Sequence, residues 1–205
     1  MGYDYDQTHD NIIKSAREQF IKKGFSGASI RQICKDAGVT NGAFYAHFDS
    51  KEDLFATLVG PTVRGIRKLY EGENQTYMDM DPSADFKTIL EQTFTSNRVF
   101  IRYVYENADI FKLLLTAAAG TEYEDFADKF AREEAANTKE FFKTFSSYTD
   151  NAEKLSEEII RHISILVVST LFDGLLEGKT EDEVVRESDL VSEFCLAGLK
   201  HILDI

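Results

Sequence analysis

The apolar positions near the start of the chain repeat at helical spacing. Between residues 8 and 23 they fall three or four positions apart, at Ile12, Ile13, Ala16, Phe20 and Ile21. Side chains at this spacing share one face of an α-helix. Gly24 follows the run at the place where a helix-ending glycine is expected. The pattern therefore predicts a first helix over residues 8–23.

A second helix is predicted directly after this first one. The Ser29 hydroxyl can accept a hydrogen bond from the amide of Gln32, and the Gln32 side chain can reach back to Ser29, which is the pattern of a capping box. Gly38 marks the end of the helix because glycine is favoured just past a helix C-terminus.

Two further capping residues follow at short intervals. Thr40 is a good N-cap for a short third helix over residues 41–47, and Ser50 is a good N-cap for a fourth. Only three residues, 38–40, separate the second helix from the third. Two helices joined by so short a turn that contains glycine are the sequence form of a helix-turn-helix.

The rest of the chain also has helical periodicity. A loop is predicted over residues 72–82, and Thr180 with Glu183 forms a capping box at the start of the last helix. The predicted helices in this part cover residues 83–106, 109–119 (capped by Asn107 and closed by Gly120), 121–148, 151–177 and 180–203. With the first four they predict an all-α protein of about nine helices.

Composition agrees with a helical, globular protein. The 205 residues include only two prolines and twelve glycines, and 43% are hydrophobic, which leaves long stretches without a helix breaker. Cys34 and Cys195 lie far apart, so neither a disulfide framework nor a zinc site is expected. The longest strongly apolar run, residues 163–172, is shorter than the roughly 20 residues of a membrane span. Because the first ten residues are acidic as well, we expect a cytoplasmic protein without a membrane anchor.

Charge is distributed unevenly along the chain. The formal net charge is −13, but residues 11–48 hold six Lys or Arg and only two acids, whereas residues 61–205 hold 16 basic and 28 acidic residues. A locally basic segment can attract phosphate even when the whole molecule is acidic. A chance excess of basic residues in a short segment would look the same. Charge alone therefore does not show whether this segment binds nucleic acid.

A longer series of residues is more specific than any of these signals. Its members, in chain order, are Ile12-Ile13, Ala16, Phe20, Gly24-Phe25, Ser29-Ile30-Arg31, Ile33, Ala37-Gly38-Val39-Thr40, Phe44-Tyr45, His47-Phe48, Ser50-Lys51-Glu52 and Leu54. The series resembles the DNA-binding domain of the TetR family of transcriptional regulators. The resemblance implies a three-helix DNA-binding domain over residues 1–55, with its helix-turn-helix at about 29–48. It also implies a larger helical domain over residues 56–205 for ligand binding and dimerisation.

The third helix is the expected recognition helix. In a helix-turn-helix the N-terminal residues of the second helix meet base edges in the major groove, and here these are Asn41, Gly42 and Ala43. The Asn41 amide can pair with adenine, and the Ala43 methyl can contact thymine. Gly42 either allows a close approach of backbone to the bases or is a tolerated surface glycine, and the sequence leaves both open.

The remaining DNA contacts follow from the resemblance. Arg31 matches a position that reaches a base or a phosphate, although a solvated arginine is the alternative. Thr40, Tyr45, His47 and Lys51 match a set of residues that hold the phosphate backbone without reading sequence. The Thr40 hydroxyl also caps the third helix, and the two roles are compatible.

The second domain contains aromatic residues interrupted by polar ones. Glu134 and Thr138 fall on the inward side of the predicted 121–148 helix. An apolar cavity with a few polar groups is typical of a small-molecule site, whereas core aromatics with locally satisfied polar neighbours are the alternative. The residues predicted to line such a pocket are Asn97, Phe100, Tyr103, Phe111, Glu134 and Phe141.

The last two predicted helices are apolar on more than one face, so each needs more than one covering partner. The resemblance assigns these helices to a homodimer interface; a third layer of the same chain is the alternative. Together these features predict a repressor that binds a palindromic operator as a homodimer and is released by a small-molecule effector. No cofactor and no metal are expected.

Two other classes of protein remain as alternatives. An enzyme would need a nucleophile, base and acid set or a phosphate-binding glycine loop, and no motif of this kind is present in the sequence. A helical dimer that binds a ligand or a protein partner without binding DNA is the second alternative, favoured by the acidic second domain. Salt-dependent binding to DNA separates both from a regulator.

Overall fold

The computed structural model describes residues 2–78, 90–91, 97–144, 151 and 154–204. The all-α prediction is confirmed, and nine helices lie within this described part of the chain. They are α1 (Gly2–Gly27), α2 (Ile30–Ala37), α3 (Asn41–Tyr45), α4 (Lys51–Met78), α5 (Asn97–Glu106), α6 (Ala108–Thr116), α7 (Phe126–Thr144), α8 (Glu157–Leu176) and α9 (Glu181–Leu203).

The helices belong to two compact units. Unit 1 comprises Met1–Gly65 and Asp109–Phe126, and unit 2 comprises Ile66–Ala108 and Ala127–Ile205. The first boundary falls inside α4, so one continuous helix contributes to both units. The predicted functional boundary after residue 55 stays a prediction.

The apolar stripe of α1 forms the centre of unit 1. Ile12, Ala16 and Phe20 are fully buried, as the helical spacing predicts. Phe20 meets Phe55 of α4 edge to face, with ring centroids 5.1 Å apart. Offset and edge-to-face contacts of this kind add stability beyond the area that the rings bury.

A segment distant in sequence completes unit 1. The backbone amide of Phe25 donates to Ala117 O at 2.8 Å, and the Ser26 hydroxyl donates to Ala119 O at 3.0 Å. These bonds join the end of α1 to the end of α6. Residues 109–126 therefore pack with the helix-turn-helix, which local sequence signals did not indicate.

The predicted N-caps of α2 and α3 are present. The Ser29 hydroxyl accepts from the Gln32 amide at 3.2 Å, and Thr40 Oγ1 accepts from the Ala43 amide at 3.1 Å. The reciprocal half of the first capping box is wrong, because the Gln32 side chain donates to Asp36 at 2.7 Å. Gly38 ends α2 with a left-handed φ of 71°, a conformation that glycine adopts without strain.

The loop predicted at residues 72–82 is wrong up to residue 78, because α4 continues to Met78, and residues 79–82 lie outside the described part. Gly72 costs up to about 1 kcal/mol in a helix interior relative to alanine. The surrounding turns of a 28-residue helix outweigh that cost, and the Thr76 hydroxyl donates back to Gly72 O at 2.9 Å.

Two predicted helix starts need correction. The helix predicted from residue 121 begins at Phe126, because Thr121 accepts locally from the Tyr123 amide and holds a turn. The helix predicted from residue 151 begins at Glu157, where the Ser156 hydroxyl accepts from the Ile159 amide. The Thr121 hydroxyl thus holds a turn before its helix, whereas the Ser156 hydroxyl caps the first turn of its helix.

Asn107 does not cap the following helix as predicted. Its side-chain amide donates to Tyr103 O at 2.9 Å, so it closes the end of α5 instead. The predicted helix over 83–106 is described only at residues 90–91 and 97–106, which are helical. The helix predicted over 109–119 is observed as α6, and Gly120, with a φ of 87°, lies in the turn beyond it.

In unit 2, α8 and α9 form a close pair. A Cβ atom on Gly174 would lie only 2.4 Å from Val184 Cγ2, so only glycine allows this approach. The capping box predicted at Thr180 and Glu183 is present and starts α9. Helix α5 is tied to this pair by Tyr105, whose hydroxyl donates to Lys179 O at 2.9 Å.

The opposite end of unit 2 contains an apolar cluster. It is formed by Leu90, Phe141, Phe142, Leu155, Ile160, Leu199 and Leu203, all buried. This cluster joins α7, α8 and α9 through side chains far apart in sequence.

Candidate nucleic-acid interface

Helix α3 presents one face to solvent and one to the core. Phe44 is fully buried, whereas its neighbour Tyr45 is 57% exposed. Phe48, just after the helix, is also buried and lies 5.7 Å from Phe44 between ring centroids. These two phenylalanines therefore belong to the core of unit 1, and they orient the opposite face of α3 outward.

The predicted base-reading residues lie at the exposed start of α3. Asn41 and Gly42 are exposed, and Ala43 is half-buried. The Thr40 oxygen accepts from the Ala43 amide, which leaves the Thr40 hydroxyl hydrogen able to donate. No hydrogen bond to the Asn41 side chain is found among the described residues. Asn41 therefore has both a donor and an acceptor available for a base edge.

The N-terminal turns of α1 reach the end of α3. The Tyr5 hydroxyl donates to Ala46 O at 3.3 Å, and the Tyr5 ring lies 3.9 Å from the His47 ring between centroids. His9 stacks on Phe48 at 4.9 Å. Sequence reasoning missed Tyr5 and His9, although the i, i+4 spacing of Tyr5 and His9 continues the apolar stripe of α1 upstream.

His47 sits in a partly shielded position. Its Nδ1 atom is buried and has no hydrogen-bond partner within the described residues. Burial lowers the pKa of His47, and the nearby His9 lowers it further. Both effects favour the neutral imidazole, which can still donate a hydrogen bond to a phosphate oxygen.

Lys51 makes contacts inside unit 1 that the sequence did not predict. Its ammonium donates to Phe25 O at 2.8 Å and to Ala28 O at 3.0 Å. It also lies 4.3 Å from the centroid of the Phe25 ring. The ammonium thus satisfies two carbonyls at the end of α1, and one of its three N–H donors remains for another acceptor.

Replacing Lys51 with methionine is expected to lower the free energy of unfolding by about 1.5–3 kcal/mol, because two charge-assisted hydrogen bonds are lost. Urea denaturation measures this loss. The exposed Lys22, replaced in the same way, is the control and should change stability by less than about 0.5 kcal/mol. If Lys51 also contacts phosphate, the salt dependence of DNA binding should fall by about one unit. Equal stability of the two variants would contradict the structural role.

Asp36 and Arg31 differ in whether the described residues give their side chains a partner. Asp36 accepts from Gln19 and from Gln32, each at 2.7 Å. Arg31 is exposed, and no ion pair to it is found in the described residues. Its guanidinium is therefore available to an anion.

The residues predicted to line a ligand pocket are distributed over different parts of the fold. Phe100 and Tyr103 are half-buried on α5, and burial raises the pKa of Tyr103. Phe141 belongs to the apolar cluster of unit 2, and Phe111 is buried in unit 1. The side chain of Asn97 lies outside the described residues. The pocket-lining assignment stays a prediction.

Glu134 is the most unusual of these residues. Its Oε1 accepts from Thr138 at 2.9 Å, whereas Oε2 is shielded from solvent and has no hydrogen-bond partner in the part of the chain that is described. Burial raises the pKa of Glu134, and the hydroxyls of Ser164 and Thr138 lower it to a smaller extent. The carboxyl group is therefore harder to ionise than that of an exposed glutamate.

An open groove of about 370 Å³ lies elsewhere in unit 2, between α8 and α9. Its walls include Asp173, Glu177 and Glu187. None of the residues predicted to bind a ligand contributes to it. Lys179 pairs with Glu177 and with Glu187 there, each at 2.9 Å, so much of its charge is already neutralised.

A capped recognition helix with an exposed polar start and a buried aromatic anchor defines a helix-turn-helix DNA-binding protein. Residues 12–58 match the family model described as "Bacterial regulatory proteins, tetR family". Over this segment the chain is similar to the TetR family of transcriptional regulators.

Curated relatives agree with this classification. The chain is 25% identical over 171 residues to YdgC, an uncharacterized HTH-type transcriptional regulator of Bacillus subtilis (strain 168), covering 82% of this chain and 84% of YdgC. It is 36% identical over 96 residues to the HTH-type transcriptional regulator AcrR of Shigella flexneri, covering 45% of this chain and 44% of AcrR.

Solved structures share the fold. A TetR-like transcriptional regulator from Rhodococcus sp. RHA1 matches with a TM-score of 0.59 and 16% identity, covering 93% of this chain and 96% of that one. At this identity the likeness concerns the fold alone.

Proposed function

We propose that the protein binds a palindromic operator as a homodimer, represses transcription there and leaves the operator when a small molecule binds in unit 2. The exposed Asn41 amide, at the start of a helix anchored by Phe44, is the observation that carries this proposal. Arg31, Thr40, Gly42, Ala43, Tyr45, His47 and Lys51 complete the proposed interface. Two half-sites would lie about 34–36 Å apart, or a multiple of this.

Exposed apolar side chains on α8 and α9 support the dimer. Phe194 is 75% exposed and Leu190 is 66% exposed, and Ile159, Leu166 and Leu176 are also exposed. The faces on the other side, which carry Leu175 and Leu199 among others, are buried. Since apolar surface concentrated in this way is typical of an interaction site, a second copy of the same two helices is the proposed partner.

Contacts of α4 give a route for release. Its second half is held to α7 by Arg67, which pairs with Glu133 at 2.8 Å, and by Tyr70, whose hydroxyl donates to Glu134 O at 3.4 Å. A ligand near Glu134 would act on these bonds and so on the helix that also contributes to unit 1. By linkage, the effector and the operator must weaken each other by the same factor.

The proposed location is the cytoplasm. By length and composition, α8 is the one helix in the described part that could cross a membrane, with a mean hydropathy of 1.7 over its most apolar stretch. A core helix of a soluble protein passes the same test. In the proposed dimer, the second copy of the chain covers the exposed face of α8, so no membrane is needed to cover it.

The first experiment is selection of binding sites from a pool of random DNA duplexes by the purified full chain. An inverted repeat whose binding weakens steeply with salt is the expected result. Recovery of no enriched duplex at low salt would favour the alternative, a helical dimer that binds ligands or proteins without DNA.

Replacing Asn41 with alanine is expected to cost about 1–3 kcal/mol on the selected operator, because one bidentate base contact is lost. Binding to unrelated DNA should stay unchanged, since phosphate contacts are retained. Fluorescence anisotropy with both duplexes measures the ratio of the affinity for the operator to the affinity for unrelated DNA. An unchanged ratio would remove Asn41 from the set of base-reading residues.

A further inference from the structure

Two buried polar atoms in unit 2 lie side by side without hydrogen-bond partners. They are Oε2 of Glu134 and Oγ of Ser164, and neither is bonded within the described residues. Ser164 is only 1% exposed, and it lies close enough to influence the Glu134 carboxyl. Buried polar atoms are nearly always paired, because leaving one unpaired costs free energy. The Ser164 hydroxyl can donate to the Glu134 carboxyl group, but like the Thr138 hydroxyl it brings no positive charge.

The described residues do not supply a cation for this carboxyl group. Arg67 on α4 pairs with Glu133, the residue before Glu134, and both of these side chains are exposed. Glu134 itself has Thr138 as its hydrogen-bond donor, which is neutral. A carboxylate that is removed from water without a cation is costly. The position therefore favours a positive group that arrives from outside.

A series of aromatic rings in contact with one another begins close to Glu134, because the Tyr70 hydroxyl donates to Glu134 O. The Tyr70 ring lies 5.7 Å from Phe100 and 5.7 Å from Phe130, and Phe130 lies 6.1 Å from Phe172, all between ring centroids. Phe130 precedes Glu134 by one helical turn on α7. The faces of aromatic rings carry partial negative charge and attract cations. Tyr70 and Phe100 are only half-buried, so this group of rings is accessible from solvent.

We propose that Glu134, Ser164, Tyr70, Phe100 and Phe130 bind a protonated amine carried on an apolar body. The N–H groups of the ammonium donate to Glu134 Oε2 and to Ser164 Oγ, and the rings contact the apolar body. A quaternary ammonium has no N–H to donate, and a carboxylate ligand would meet Glu134 with the same charge. This assignment rests on the proposed function, because it names the chemical class of the effector.

The test uses three probes of equal length that differ in charge: 4-phenylbutylamine, 4-phenylbutan-1-ol and 4-phenylbutyrate. Isothermal titration calorimetry with the full chain is expected to give binding of the amine at least about tenfold tighter than the alcohol, with the weakest binding for the acid. Binding of the alcohol or the acid as tight as that of the amine overturns the proposal, and so does failure of all three probes to bind the folded protein.

Glu134→Gln is the diagnostic variant, because the amide keeps the shape of the side chain and removes its charge. It is expected to bind the amine and the alcohol equally. Glu140→Gln, on the exposed side of the same helix, is the matched control and should keep the preference of the wild type. A Glu134→Gln protein that retains the preference overturns the proposal.

Operator binding separates this assignment from the proposed function. Glu140→Gln should bind the selected operator as the wild type does, and the amine should release both of these proteins from it. If the protein binds its operator but a neutral ligand releases it, the amine assignment fails and the regulator remains. If it selects no operator, the regulator fails whatever the three probes do.

Discussion

Replacing Phe194 with glutamate is expected to produce a folded monomer that binds its operator about 10²-fold to 10⁴-fold more weakly than the wild type. Phe194 is 75% exposed within a single chain, so the substitution removes little contact within its own fold. In the proposed dimer it would place two charges in a desolvated interface, which is strongly unfavourable. A dimer binds both half-sites of the operator at once, so its affinity greatly exceeds that of a monomer for one half-site. The loss of this second contact sets the size of the expected effect.

Sedimentation velocity and anisotropy on the same samples measure both parts of this prediction. Val99→Glu is the matched control, because Val99 is another exposed apolar side chain of unit 2 that lies on α5. It should remain dimeric and bind the operator normally. A Phe194→Glu protein that sediments as a dimer with full operator affinity would move the interface away from α9. Leu190→Glu, one turn earlier on α9, should repeat the result of Phe194→Glu.

The features that could be predicted from the sequence are those decided by a few neighbouring residues. The caps at Ser29, Thr40 and Thr180 each involve a side chain and an amide three residues away, and all three are present. The buried stripe of α1 follows in the same way from spacing alone. Local signals of this kind depend on short-range geometry, which is the same in most folds.

The features that could not be predicted depend on contacts between distant segments. The hydrogen bond from Phe25 to Ala117 and the position of the Lys51 ammonium on α1 carbonyls have no local pattern. The sequence predicts a loop at Gly72, but packing along a long helix outweighs the low helix propensity of glycine. The i, i+4 spacing of Tyr5 and His9 is consistent with an extension of α1 toward the N-terminus. The acidic residues on either side of them weaken this signal.

The same division applies to the candidate sites. The outward face of α3 follows from the alternation of Phe44 and Tyr45, which differ in exposure as predicted for a core and a surface position. The inward position of Glu134 was also predicted from helical spacing. The absence of a cation beside it in the described residues could not be predicted, because this depends on which side chains of α4 and α8 approach it. Phe111 and Phe141 were grouped with Glu134 by composition, whereas the structure buries them in other surroundings.

Replacing Phe44 with alanine is expected to lower the free energy of unfolding by about 3–5 kcal/mol, because a fully buried ring is removed and a cavity remains. Such a loss is a large part of the roughly 5–15 kcal/mol that stabilises a typical domain. Helix α3 has only five residues, far fewer than the roughly 12–15 that an isolated helix needs in water. It therefore depends on Phe44 for its order as well as for its orientation.

Tyr45→Ala tests the neighbouring position, because Tyr45 is 57% exposed. It should change stability by less than about 0.5 kcal/mol and weaken DNA binding, since the proposed phosphate contact is lost. Urea denaturation measures stability in both variants, and amide hydrogen exchange in α3 reports on local order. Phe44→Ala should lose protection throughout α3 and bind no operator, whereas Tyr45→Ala should keep its protection. If the two variants proved equally stable, the core would not be what orients α3, and the assignment of its outward face to DNA would lose its structural basis.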